Sequence, residues 1–152
     1  MKRYEVAADF TLPDQNGESF TLSAALESGP VVLFFYPAAL SLGCTKESCH
    51  FRDLEREFTE LGAHVVGVSL DDVAKQARFA RKNSLTFPLL ADVDGSVAEL
   101  YGVKRALRFL NVKRTTFVIA PDRRVLDVIS SEVGLNAHAD RALDALRAPT
   151  AQ

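Results

Sequence analysis

The chain has no tryptophan, one methionine and only two cysteines among its 152 residues. Two cysteines are too few for the disulfide-rich framework by which small secreted domains are stabilised. No apolar run approaches the roughly eighteen residues that a membrane span needs, and acidic residues interrupt the N-terminal segment before the apolar core of a signal peptide could form. The sequence therefore predicts no membrane partner and a cytoplasmic location.

Neither sign of charge is in large excess, since eighteen basic and twenty acidic side chains give a formal net charge of −2. A surface built mainly to neutralise nucleic-acid phosphates would be strongly basic. The basic stretch at residues 104–114 contains Phe109, a weak indication of nucleic-acid contact, but no nucleic-acid-binding motif accompanies it. We therefore expect the basic residues of this stretch other than Arg114 to be solvated, and a small molecule or a protein as the partner.

Apolar runs alternate with segments of helical periodicity, and glycine and proline fall between them. No repeat or linker interrupts this order, so the sequence predicts one domain over residues 1–152 with a mixed central sheet in an α/β arrangement. The predicted strands are residues 31–36, 64–70, 87–91, 115–120 and 125–129. The predicted helices are residues 44–61, 71–83, 96–101 and 138–147.

Cys44 lies at the predicted start of a helix, directly after a buried strand. The unpaired backbone N–H groups and the positive end of the helix dipole at that position both favour a thiolate over a thiol. This placement indicates a reactive cysteine. The alternative is that Cys44 is only a small buried apolar residue.

Cys49 follows five residues later, which in a helix corresponds to a rise of about 7.5 Å and a rotation of about 140°. The two Cα atoms would then be about 8 to 9 Å apart, farther than the roughly 7 Å limit for a disulfide, so bonding requires the helix to unwind. A bond that forms only in a second conformation favours an oxidisable thiol and its resolving partner. The alternative is that Cys49 is a spectator thiol.

Zinc is another possibility, because Cys44 and Cys49 with His50 and His64 supply four potential ligands. Structural zinc sites usually combine two compact Cys/His pairs, whereas His64 begins a predicted buried strand. The C-x-x-C motif of thioredoxin-type dithiols is also absent. We therefore expect no metal and no cofactor, and histidines that are exposed or locally hydrogen-bonded.

The chain resembles the peroxiredoxins, and within them the bacterioferritin comigratory protein or Q type, almost from end to end. The resemblance rests on several segments that are specific only in combination, namely ADFTLPDQNG, VVLFFYP, GCTKESCHFRD, FPLLADVDGSVAELYGV and KRTTFVI. It implies a thioredoxin-like fold, with helices on both faces of the mixed sheet and the peroxiredoxin N-terminal extension.

The family pattern of Pro, three residues, Thr, two residues and Cys is similar to the spacing of Pro37, Ser41 and Cys44. The resemblance implies that Cys44 attacks the peroxide, that Arg114 holds the thiolate and the peroxide oxygens, and that the Ser41 hydroxyl hydrogen-bonds the peroxide. Pro37 would shape and shield the pocket.

Glu47 falls where the family often places an acidic partner of the arginine, and Cys49 falls where this group carries its resolving cysteine. Tyr36 and Gly43 adjoin these positions and are expected to support the site.

The implied function is a thiol-dependent peroxidase for hydrogen peroxide and organic hydroperoxides. It would pass through a Cys44–Cys49 intramolecular disulfide, with thioredoxin or a glutaredoxin-type protein as reductant. A thiol redox sensor without turnover is the alternative. A monomer or weak homodimer is expected.

The sequence departs from the family pattern at two positions. Ser41 stands in place of Thr, so the hydroxyl is kept but the methyl group that restrains its rotamer is lost. Leu42 stands where the family has Pro, so the loop loses a fixed φ and gains a backbone N–H that needs a partner. Both changes predict a less rigid pocket.

Overall fold

The computed structural model describes residues 1–105 and 112–148. Most of the basic stretch near Phe109 therefore lies outside the described residues. The elements in chain order are β1 (Thr11–Pro13), β2 (Ser19–Thr21), α1 (Leu22–Leu26), β3 (Val31–Phe35), α2 (Leu42–Asp53), α3 (Glu55–Glu60), β4 (His64–Ser69), α4 (Val73–Asn83), β5 (Leu89–Ala91), α5 (Ser96–Leu100), β6 (Thr115–Ile119), β7 (Val125–Ser130) and α6 (Leu135–Arg147).

Five of the strands form a mixed sheet in the order β5-β4-β3-β6-β7. Strand β3 is parallel to β4 and antiparallel to β6, and β6 and β7 form an antiparallel hairpin. The predicted mixed sheet and thioredoxin-like fold are confirmed. Strands β1 and β2 form a separate antiparallel pair, which is part of the N-terminal extension.

Strand β3 is buried along its whole length, and its side chains alternate between two apolar clusters. Leu33 and Phe35 pack into the cluster that includes side chains of α1 and α5. Phe34 packs into the other cluster, where its ring stacks on Phe51 of α2 at a centroid distance of 4.3 Å. Because both faces of the strand are covered by helices, its sequence is a continuous apolar run.

The helix predicted over residues 44–61 differs from the structure in two ways. It begins earlier, at Leu42, and it is divided at Leu54 into α2 and α3. Leu54 has φ −99° and ψ 7°, and its amide donates to the carbonyls of both His50 and Phe51, which tightens the turn there. No proline or glycine stands at this point, so the sequence carries no local signal for the break.

The sheet topology brings four chain segments to one edge. The carboxyl ends of parallel strands β3 and β4 lie there, and Thr115 at the start of β6 pairs with Phe35 at the end of β3. Strand β7 returns to the same edge, where Ser130 pairs with Thr115. The loops that follow β3, β4 and β7 and the residue that precedes β6 therefore lie close together.

Within residues 1–105 and 112–148, no helix is both long and apolar enough to cross a lipid bilayer.

Candidate active site

Helix α2 begins immediately beside the edge of the sheet, and Ser41 is its N-cap. The Ser41 Oγ accepts a hydrogen bond from the Cys44 amide at 3.4 Å and donates one to the Ala38 carbonyl at 2.8 Å. One hydroxyl therefore caps the helix and closes the preceding loop. The predicted position of Cys44 in the first turn of the helix is confirmed.

The Cys44 side chain is completely buried and its thiol is free. Two donors face its sulfur: the Ala38 amide at 3.5 Å and Arg114 Nη2 at 3.4 Å. These groups and the N-terminus of α2 surround the sulfur with positive electrostatic potential. Cys44 therefore differs from an ordinary buried core residue in having two N–H donors directed at its sulfur.

Arg114 immediately precedes β6 and is 70 residues from Cys44 in sequence, but its guanidinium contacts both Cys44 and Glu47. The Nη1 donates to Glu47 Oε1 at 2.8 Å. Burial alone would lower the pKa of Arg114, but the neighbouring Glu47 and Cys44 raise it above its ordinary value. Arg114 is thus a permanently charged group shared between a carboxylate and a thiol.

Glu47 lies one helical turn after Cys44 on α2 and is fully buried. Burial raises the pKa of Glu47 to about 7, although Arg114 acts in the opposite direction. The second carboxylate oxygen, Oε2, has no hydrogen-bond donor among the described residues. Glu47 therefore holds Arg114 in place but is itself incompletely paired.

The loop between β3 and α2 is anchored from behind by a buried polar network. Asp71 Oδ2 accepts from the Ala39 amide and from the Ser69 hydroxyl, both at 2.7 Å. Gln76 accepts from the Tyr36 hydroxyl and donates to Ser69 Oγ at 2.9 Å. The Tyr36 hydroxyl is thus held within this network, directly before the loop.

Four other positions lie close to Cys44 in the sequence. Pro37 directly follows Tyr36 and is half-buried. A Cβ atom on Gly43 would lie 3.3 Å from Arg114 Nη2, so the glycine allows the guanidinium to approach. Leu40 has φ +68°, a conformation that is unusual for a bulky residue and is common at functional sites. Leu42 occupies the first helical position, where its N–H would be unpaired within any helix, and its side chain is 88% exposed.

Cys49 also lies on α2, nearer its C-terminal end, and is a free, half-buried thiol. Its Sγ is 3.8 Å from Asn83 Oδ1, at the end of α4. Arg52 Nη1 donates to the Asn83 carbonyl at 2.7 Å and so ties α2 to α4 next to Cys49. Because one unbroken helix carries both cysteines, a bond between them requires α2 to unwind.

The four residues weighed as zinc ligands are not brought together. No group of three or more potential metal ligands occurs within the described part of the chain. His50 Nε2 lies 2.8 Å from Asp140 Oδ1 on the protein surface, and His64 begins β4.

His138 contradicts the expectation that all three histidines are exposed or locally bonded. It is fully buried, with Nδ1 2.7 Å from Thr116 Oγ1 and Nε2 2.8 Å from the Ser131 carbonyl. Burial lowers its pKa. Its place four residues before Ala142, on the buried face of α6, is the sequence signal that could have identified it.

Sequence reasoning also missed Glu132 and Asp71. Glu132 Oε2 accepts from the Arg114 amide and from Arg105 Nη2, both at 2.9 Å. Both acidic residues lie in loops at the same edge of the sheet as Cys44. Their roles depend on strand order, which no local motif encodes.

A thioredoxin-like fold with a buried thiol, an arginine and the N-terminus of a helix at one sheet edge defines a thiol-based oxidoreductase. The model of the AhpC/TSA family matches residues 4–128. A putative peroxiredoxin of Mycobacterium tuberculosis is 59% identical over 97% of both chains, and peroxiredoxin Bcp of Escherichia coli is 35% identical over 91% of both.

Solved structures agree with this classification. Peroxidoxin BcpB of Mycobacterium tuberculosis superposes with a TM-score of 0.94 at 57% identity and covers 99% of both chains. The bacterioferritin comigratory protein of Xanthomonas campestris has a TM-score of 0.86 at 30% identity, covering 97% of this chain and 98% of its own. The chain belongs to the AhpC/TSA family, among its peroxiredoxins of the bacterioferritin comigratory protein or Q type. Peroxiredoxins are thiol-dependent peroxidases.

Proposed function

We propose that Cys44 is the peroxidatic cysteine of a two-cysteine cycle that reduces hydrogen peroxide and organic hydroperoxides. The observation that carries the proposal is the Arg114 guanidinium, which donates to Cys44 Sγ and to Glu47 at the same time. Arginine suits this task because its planar fork serves two acceptors and keeps its charge.

In the first step, the Cys44 thiolate attacks one peroxide oxygen. An S–O bond forms, the O–O bond breaks, and hydroxide or alkoxide leaves and takes up a proton, so that Cys44 becomes a sulfenic acid. Negative charge moves from sulfur to the leaving oxygen during this step. Donors aimed at that oxygen lower the barrier more than ionisation of the thiol alone, because they stabilise the transition state preferentially.

Arg114 and Ser41 are the proposed donors to the peroxide. Arg114 Nε is buried and has no acceptor among the described residues, so it can serve a bound oxygen. The Ser41 hydroxyl donates to the Ala38 carbonyl in the resting structure and would turn to the peroxide. Pro37 shields the pocket, Gly43 admits the guanidinium, and Tyr36 and Glu47 hold the loop and Arg114 in position.

In the second step, the Cys49 thiolate attacks the Cys44 sulfenic sulfur. The S–S bond forms, the S–O bond breaks, and the oxygen leaves as water after taking up a proton. The half-buried position of Cys49 on the same helix supports a local unwinding rather than a rearrangement of the whole fold. Reduction by thioredoxin or a glutaredoxin-type protein would then restore both thiols.

The exposed Leu42 side chain offers apolar surface two residues from Cys44, which supports an organic hydroperoxide as a substrate. We also propose that the protein acts in the cytoplasm as a monomer or weak homodimer and needs neither metal nor cofactor.

The test is the intact mass of the reduced protein after one equivalent of hydrogen peroxide. We expect the parent to lose two hydrogens, Cys49→Ser to gain one oxygen on Cys44, and Cys44→Ser to remain unchanged. A parent that stays fully reduced would overturn the peroxidase cycle.

Turnover distinguishes the enzyme from a redox sensor. With a thioredoxin system and excess peroxide, an enzyme consumes many equivalents of reductant, whereas a sensor consumes about one equivalent and stops. We expect sustained consumption by the parent and none by Cys44→Ser.

A further inference from the structure

Two carboxylate–histidine contacts join α2 to α6. One is the exposed pair His50 and Asp140, and the other is the buried pair Glu47 and His138. Glu47 Oε2 lies 3.4 Å from His138 Nδ1, and both side chains are completely buried. The buried pair lies directly behind Arg114 and therefore behind Cys44.

The hydrogen bonds of His138 fix which nitrogen carries hydrogen. The Ser131 carbonyl can only accept, so Nε2 is the donor there. In the neutral ring Nδ1 is then bare and accepts from the Thr116 hydroxyl. A bare Nδ1 facing an ionised Glu47 leaves two acceptors in contact without a proton between them.

The charge balance of the site also calls for a proton. A Cys44 thiolate and a Glu47 carboxylate against one Arg114 cation leave one uncompensated negative charge, and burial of such a charge is costly. The other charged groups near His138 are Glu132 beyond β7 and Arg141 on α6, which have opposite effects on the ring. One added proton between Glu47 and His138 makes the cluster of Cys44, Arg114, Glu47 and His138 neutral.

We propose that His138 is a positioning residue that shares one buried proton with Glu47. This proton determines how strongly Arg114 interacts with Cys44 rather than with the Glu47 carboxylate. The proposal rests on the proposed function, since it concerns the same thiolate. With the proton in place, Glu47 competes less for Arg114 and the thiolate is favoured. By linkage, a thiolate on Cys44 makes the pair bind its proton more tightly.

The proton can be observed directly by carbon NMR of the Glu47 carboxyl group in the reduced protein, with Glu47→Gln identifying the signal. We expect the carboxyl to titrate near neutral pH, in line with the effect of burial on Glu47. Alkylation of Cys44 removes the thiolate and should move this midpoint to lower pH by about one unit. Titration of this carboxyl in the acidic range of an ordinary glutamate would overturn the proposal. So would a midpoint that is the same before and after alkylation of Cys44.

The effect on Cys44 is measured by the ultraviolet absorbance of its thiolate as a function of pH, in a Cys49→Ser background so that one thiol reports. Glu47→Gln mimics the protonated carboxyl permanently, so its thiolate should persist to lower pH than in the parent. His138→Gln should do the opposite, because the new amide can donate to Glu47 Oε2 without taking up a proton. We expect shifts of about one pH unit in each direction.

His50→Gln makes the same change in the exposed pair and is the matched control, for which we expect no shift. Thr116→Val removes the competing donor to Nδ1 at nearly constant volume and should raise the carboxyl midpoint. If Glu47→Gln and His138→Gln shifted the thiolate titration in the same direction, the residues would be structural supports only. None of these readouts uses peroxide turnover, so they can fail or succeed independently of the peroxidase cycle.

Discussion

The two cysteines lie on one helix, but their surroundings differ in almost every respect. Cys44 is fully buried beside Ser41, Arg114 and the N-terminus of α2. Cys49 is half-buried against the amide oxygen of Asn83, toward the other end of the helix. The difference shows how one helix can carry a thiol enclosed by hydrogen-bond donors and a second thiol that is only half-buried.

The largest expected effect is the difference in peroxide reduction between variants that lack one or the other cysteine. Cys44→Ser should abolish peroxide reduction completely, because no second sulfur has the same donors. Cys49→Ser should still react once with peroxide and then stop without an added small thiol. Stopped-flow measurement of peroxide consumption reports the first reaction with peroxide, and multiple-turnover assays report the complete cycle. Equal loss of the first reaction in both variants would contradict the division of roles.

Arg114→Lys should reduce kcat/KM by about 10²- to 10³-fold, because a lysine keeps the charge but loses the fork that serves sulfur and carboxylate together. Arg105→Lys is the matched control, since Arg105 also bonds Glu132 but does not contact Cys44. A similar loss in the two variants would show that the effect arises from loop stability rather than from the guanidinium at the sulfur.

Arg52→Ala should weaken the hold of α4 on the Cys49 end of α2. The loss of a partly exposed, charged hydrogen bond to the Asn83 carbonyl is expected to lower the free energy of unfolding by about 1 kcal/mol. Hydrogen exchange in α2 and the rate of Cys44–Cys49 disulfide formation should both increase. Arg56→Ala removes only an exposed pair with Glu60 and should leave both rates unchanged.

The pH dependence of stability tests the burial of Glu47. Because burial raises its folded-state pKa to about 7, Glu47 stabilises the fold fully below its unfolded pKa, and that contribution is lost as pH rises through the folded value. Relative to Glu47→Gln, the parent should therefore lose up to about 3 kcal/mol between roughly pH 4.5 and pH 8. Denaturant unfolding of the parent and of Glu47→Gln across this pH range measures the loss. A difference in free energy of unfolding that does not change with pH would refute the prediction.

The smallest expected effect concerns the exposed apolar side chain of Leu42, two residues before Cys44. Leu42→Ser should lower kcat/KM for an alkyl hydroperoxide by about three- to tenfold, which corresponds to roughly 1 kcal/mol of apolar contact. The value for hydrogen peroxide should stay nearly constant. Equal changes for both substrates would indicate altered loop geometry instead.

Local patterns were sufficient for much of the fold and for one half of the site. The apolar run of β3 and the first-turn position of Cys44 follow from residues adjacent in sequence, whereas the cap at Ser41 was not predicted. The resemblance to peroxiredoxins added Arg114, which spacing alone could not connect with Cys44. That the chain is a single domain over residues 1–152 stays a prediction.

Residues whose partners lie far away in sequence could not be predicted from local patterns. His138 meets Thr116 and Glu47 only because β6, α6 and α2 come together at one sheet edge, and Asp71 reaches Ala39 only because β3 and β4 are parallel. Strand order determines such contacts, whereas single-sequence periodicity reports only which face of an element is buried.

The break at Leu54 has a mechanical consequence for the cycle. Because α2 ends there, α3 begins a new helical segment, but Phe51 of α2 and the buried Phe58 of α3 still pack together at a ring-centroid distance of 5.9 Å. In the proposed cycle, melting that stays within the turns of α2 before Phe51 can remain a small cooperative unit, with an opening free energy well below that of global unfolding. Melting that extended to Phe51 would also disturb the packing of this ring on Phe34 and Phe58 in the core.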